Sequence, residues 1–168
     1  MKRTKIALAL LGLAATPALF GADTATTTLH VTVAPEASIA VTASPTLTKS
    51  GTGFEAYTGN TTFTYLVRTS ETGGSGSVTA LVTTEFAAGS NITTADLSHV
   101  ASTTGAGTAN TDSTTASALT ATNIITFGTD AHSADGSDTG TINWTLADRP
   151  AYKTGSYSTV VTLTISAL

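Results

Sequence analysis

The side chains best suited to chemistry gather in one short stretch, where Asp130, His132, Asp135 and Asp138 surround Gly136. Oxygen donors on a glycine-containing loop are what a hard cation such as calcium takes. Their spacing matches no calcium loop, however, and Asp and Gly make polar turns by capping backbone N–H groups, which is the simpler expectation; a bound cation at 130–138 is the alternative. His30, His99 and His132 lack the close pairing along a strand or helix that metal ligands use. The stretch Gly73 to Ser77 (GGSGS) lacks the last glycine of a nucleophile elbow and falls where a hairpin is expected, not a strand-to-helix turn. Glu36, Glu55, Glu71 and Glu85 are spread along the chain and read as solvated side chains rather than a glycosidase pair. Trp144, Tyr57, Tyr152 and Tyr157 are the residues that could stack on sugars. Trp144 is in phase with Ile142 and Leu146, so it is expected as a core aromatic. These residues assemble no catalytic motif, and the sequence is read as a non-enzyme with no metal and no cofactor.

The background that must position them is poor in charge. Only 11% of the 168 residues are charged while 40% are hydrophobic, and threonine is the most frequent residue. Branched threonine suits a pleated, half-wet surface, so the composition points to β-structure and away from helical bundles and coiled coils. The net charge is -4, yet Lys2, Arg3 and Lys5 hold three of the 7 basic residues. Beyond them acids clearly outnumber bases, so a phosphate-neutralising face is not expected and nucleic acid is excluded as a partner. Lys2, Arg3 and Lys5 precede an apolar run from Ile6 to Ala15, then Pro17 and small residues to Ala22. That order reads as a signal peptide over 1–22, cleaved between Ala18 and Ala22, and predicts a secreted or cell-surface protein. The apolar run is too short to span a bilayer, and no transmembrane segment is expected. The chain has no cysteine, so disulfides, thiolate metal sites and a lipidated N-terminal cysteine are all excluded.

Alternation then organises the rest into one domain over 23–168. Thr26 to Val33 places Leu29, Val31 and Val33 on one face with Thr28, His30 and Thr32 opposite, which predicts a half-buried strand. Ile39, Val41 and Ala43 carry a second run, and Phe63, Tyr65 and Val67 a third. The turn-rich Glu71 to Ser77 predicts a hairpin into Val78 to Thr84. Residues 86–118 are polar and read as a long loop or a pair of weak edge strands. Order returns at Leu119 to Phe127, at Ile142, Trp144 and Leu146, and in a last strand with Tyr157, Val161, Leu163, Ile165 and Ala167 on one face. About seven or eight strands with turns between them predict an all-β fold, an antiparallel immunoglobulin-like β-sandwich.

Two stretches carry a resemblance. Asn143 to Pro150 (NWTLADRP) resembles the Trp-x-Leu signature of WxL surface domains, which implies a β-rich module that attaches to bacterial cell walls. Gly155 to Leu168 (GSYSTVVTLTISAL) resembles the final strand of secreted pilus subunits similar to spore coat protein U, which implies an immunoglobulin-like subunit assembled by a chaperone and usher. The residues and both likenesses lead to one expectation, an exported structural or adhesive surface protein such as a fimbria-like or extracellular-matrix subunit. Its partners would be copies of itself or sister subunits. The alternative is a module binding cell-wall glycan or other carbohydrate. Leu29, Val31 and Val33 are the candidate donor strand, which would extend a neighbour's sheet; the simpler reading makes them the first strand of their own domain.

Overall fold

The computed structural model describes residues 23–168, so the expected signal peptide over 1–22 lies outside the described residues. The described residues fall into two units that meet between Thr32 and Val33 in the chain. In the first, Asp23 to Thr32 carry no strand and every one of them is exposed. Leu29 and Val31 are 89% and 86% exposed. The half-buried strand expected over Thr26 to Val33 is therefore not formed there. Alternation supplies a face to bury, but a strand exists only where a neighbour takes its N–H and C=O groups.

The second unit is an antiparallel β-sandwich. One sheet runs in the order β1-β2-β8-β4-β6, from β1 (Glu36–Val41), β2 (Tyr57–Arg68), β8 (Asp138–Leu146), β4 (Leu97–Thr103) and β6 (Thr114–Thr115). The other runs β5-β7-β3-β9, from β5 (Thr108–Ala109), β7 (Thr122–Phe127), β3 (Gly76–Thr84) and β9 (Val160–Ala167). Nine strands thus replace the expected seven or eight, two of them only two residues long.

Period-two alternation decides what faces inward. Phe63, Tyr65 and Val67 of β2 and Ile142, Trp144 and Leu146 of β8 are buried, with Thr64, Leu66, Asn143 and Thr145 between them on the outer side. From the opposite sheet Val78, Ala80 and Val82 of β3 and Ile124, Ile125 and Phe127 of β7 meet them. Tyr65 joins the layers through tilted ring contacts with Phe63 at 6.0 Å and Phe127 at 5.7 Å. Its hydroxyl is satisfied by Thr103 and the Ala106 carbonyl, as a buried phenol requires. Gly140 sits opposite Phe63 in the β2–β8 register, where a side chain would collide with the phenyl ring.

Two further expectations change. The turn at Glu71 to Ser77 is not a hairpin, because β2 and β3 belong to different sheets; it is a corner that carries the chain from one layer to the other. Within the polar 86–118 stretch, β4 is an interior strand lying between β8 and β6. Its buried positions are Leu97, His99 and Ala101, so a histidine occupies an inward slot that hydrophobicity alone would not assign.

Candidate functional site

The sandwich is incompletely covered along one side, where the edge strands β1 and β9 face each other across the layers. β9 pairs with β3 on one flank; among the described residues no strand takes its other flank. Its inward residues Val161, Leu163 and Ile165 are only half-buried, whereas their β3 partners Val82, Ala80 and Val78 are enclosed. A row of N–H and C=O groups on an edge, above a partly wet apolar face, is the arrangement that accepts another strand.

A groove of about 1000 Å³ opens on this side. β1 stops at Val41, before Pro45, and the chain beyond supplies one wall through Val41, Leu47, Phe54 and Tyr57. Tyr157, Val160, Val161 and Leu163 form the other wall. The floor is the inner face of the five-stranded sheet, with Leu97, Trp144 and Leu146 all nearly enclosed. Val41 (51% exposed), Phe54 (67%) and Val160 (51%) leave large apolar surfaces at the rim, which is costly unless something covers them.

Polar contacts hold the walls. Lys49 Nζ lies 2.9 Å from Asp148 Oδ2 and 5.3 Å from the centre of the Tyr57 ring. The hydrogen bond to Asp148 raises the proton affinity of Lys49, outweighing its partial desolvation. Arg149 Nε donates to Asp96 Oδ1 at 2.6 Å, and the other Asp96 oxygen accepts from the Thr93 N–H and hydroxyl. Burial works against the Asp96 carboxylate, but its bonds to Thr93 and Arg149 outweigh that and hold it below the usual range. The Tyr152 hydroxyl is buried beside this pair with no well-aligned hydrogen-bond partner among the described residues, and burial, with the Asp96 carboxylate close by, pushes its proton affinity up. Asn91 Nδ2 bonds the Ala151 carbonyl and the Lys153 N–H bonds the Ser90 carbonyl, tying residues 147–155 down at one end of the groove.

The residues singled out in the sequence are distributed as follows. Trp144 is 6% exposed, with Nε1 donating to Thr61 Oγ1 at 2.9 Å and its ring stacked on His99. Its buried ring is the groove floor rather than an open platform for sugars. In the 130–138 loop Asp130 and His132 lie together, His132 Nδ1 being 2.8 Å from the Asp130 carbonyl oxygen and 3.7 Å from Asp130 Oδ1, while Asp138 is turned to Ser133 and the Ala106 N–H. Among the described residues no group of three or more His, Asp or Glu is placed to hold a metal ion. A smaller polar hollow of about 290 Å³ lies by Arg68, Glu71 and His132. Arg68 is committed there to the Ala34 carbonyl and to Glu36. Sequence reasoning missed the groove itself, although Pro45 and the 12 residues of β2 against 6 of β1 hint that β1 is too short to close its edge.

No family model matches the chain, and no curated protein or solved structure is significantly similar to it. Among the described residues no helix is long and apolar enough to cross a membrane. The class of protein is defined by the fold alone, a β-sandwich in which the edge strand β9 borders an open apolar groove.

Proposed function

We propose that the protein is an exported structural subunit of a surface assembly, fimbria-like or matrix-forming, in which copies join by strand addition. The observation that carries this reading is the unpaired flank of β9 above an apolar groove. The natural occupant is the Thr24 to Val33 segment of another copy. It has the right chemistry: Leu29, Val31 and Val33 alternate with Thr28, His30 and Thr32, and no Asp, Glu, Lys or Arg lies between Thr24 and Val33. Backbone groups would continue the β9 edge while the three apolar side chains fill the groove, and a slip of one residue would point His30 and the threonines inward. Export follows from the reading of residues 1–22, and the absence of cysteine leaves packing and hydrogen bonds to hold such an assembly.

A carbohydrate-binding module is the competing class. It would need an aromatic face open to solvent, and Phe54 at the rim is more exposed than Trp144 on the floor. Electron microscopy and sedimentation of the secreted protein test the proposal. Linear or network polymers that a synthetic Thr24–Val33 peptide shortens are the expected result. A monomer at high concentration that sediments with purified cell wall would overturn it in favour of the module.

A further inference from the structure

His99 is the one histidine among the described residues that is buried, at 3% exposed. It stands on β4 of the five-stranded sheet with both ring nitrogens engaged. Nδ1 lies 2.9 Å from the Thr114 carbonyl oxygen on β6, and Nε2 lies 3.2 Å from Thr122 Oγ1 on β7, in the other sheet. One ring face is stacked on Trp144, with centroids 5.2 Å apart and planes 9° from parallel. A carbonyl oxygen only accepts, so Nδ1 carries a proton and Nε2 of the neutral ring must accept. The Thr122 hydroxyl has one proton to give and two acceptors for it, Nε2 and the Ala80 carbonyl of β3, which is also 3.2 Å away.

Two proton arrangements therefore satisfy the same atoms. In the neutral form Thr122 donates to Nε2. When a proton arrives, Nε2–H donates to Thr122 Oγ1, and the hydroxyl turns its own proton to the Ala80 carbonyl. Both states keep the two bonds to the ring and the protonated one adds the bond to the Ala80 carbonyl, so the protonated ring is disfavoured by charge and not by geometry. The strands β3, β4, β5, β6 and β7 contain no Asp, Glu, Lys or Arg. Asp138, the acid of β8, lies at the far end of that strand from Trp144 and is held by Ser133 and Ala106. Asp96, just before β4, is committed to Arg149 and Thr93, and Asp112 is exposed in the β5–β6 turn. Glu85, just beyond β3, accepts from the Thr94 hydroxyl. Among the described residues no carboxylate bonds His99, and burial lowers its proton affinity.

We propose that His99 is a proton-driven joint between the two sheets, which switches the Thr122 hydroxyl between two acceptors and acts through Trp144 on the floor of the groove. The joint does not depend on what fills that groove. Acid places an unneutralised charge between the layers, directly against the face of the Trp144 ring. The sign follows from linkage: the unfolded chain takes up this proton at the ordinary value of 6.5 and the folded chain only at lower pH. Stability from this group is complete above 6.5 and is lost as pH falls toward the folded value.

Trp144 is the single tryptophan of the chain and reports on its stacked neighbour. Its fluorescence in the full secreted protein should drop reversibly on acidification, with a midpoint below 6.5, while the far-ultraviolet β signal stays native. The drop should be absent in His99→Gln. Nitrogen-15 spectra of the unaltered protein near neutral pH should show the Nδ1–H tautomer, a readout that stands even if the variant does not fold. Flat emission down to about pH 4 in folded protein, a midpoint at or above the free-histidine value, or the Nε2–H tautomer would each overturn the proposal.

Discussion

Replacing Val31 with Asp separates assembly from folding. In the isolated chain Val31 lies outside every strand and is 86% exposed, flanked on the same face by Leu29 at 89% and Val33 at 61%. Burying a Val or Leu side chain completely is worth about 1.5–3 kcal/mol, so the three residues together would supply roughly 4.5–9 kcal/mol of the gross energy of docking. V31D removes about 2 kcal/mol of that and adds a further ~2 kcal/mol or more for setting a carboxylate against an apolar wall. A loss of about 4 kcal/mol weakens association roughly 1000-fold. The same substitution should leave the stability of the sandwich within about 0.5 kcal/mol, because an exposed residue outside the core has little to lose. Sedimentation velocity and urea unfolding on the same preparation read both numbers. If V31D unfolds the sandwich along with the oligomers, the segment belongs to its own domain and strand donation is wrong. Polymers that persist undiminished would equally defeat it.

Other substitutions probe the sandwich and the walls of the groove. Trp144→Ala removes a buried ring, its hydrogen bond to Thr61 and the stack on His99, and should cost about 3–5 kcal/mol in urea unfolding; an unchanged midpoint would show that the ring is not part of the core. Gly140→Ala would drive a Cβ into the Phe63 ring, so overpacking should lower stability by about 1–3 kcal/mol, and a neutral result would mean that the ring moves aside without loss. Asp96→Asn should cost about 1 kcal/mol, because Asp96 caps the short 3-10 turn Thr94–Asp96 by accepting from the Thr93 N–H at its start. The Asp96 carboxyl is held below its ordinary 3.8, so its contribution is present above that value and lost as pH falls through the folded value. The variant should therefore flatten the acid limb of a stability–pH profile, and an unchanged limb would assign acid sensitivity elsewhere.

What the sequence determined by itself is local. Strand faces follow from the two-residue period of side chains, so Phe63, Tyr65 and Val67, Ile142, Trp144 and Leu146, and the inward row of β9 were legible from alternation alone. The sandwich class followed too, since many short alternating runs without helices have few ways to bury their apolar faces. Partnership was not legible, because hydrogen bonds between strands join residues far apart in the chain and leave no local mark. Glu71 to Ser77 has the residues of a hairpin turn and serves instead as a corner between layers. Leu97 to Thr103 looked too polar for the interior until Thr114 and Thr122 supplied both hydrogen bonds that let His99 occupy an inward slot. Thr26 to Val33 has a clean alternating pattern and no strand. β9 has the same pattern and one free flank. Whether an alternating segment becomes a strand, and whether a strand ends as an edge that can accept another, is decided only when the sheets are assembled and their unpaired N–H and C=O groups are counted.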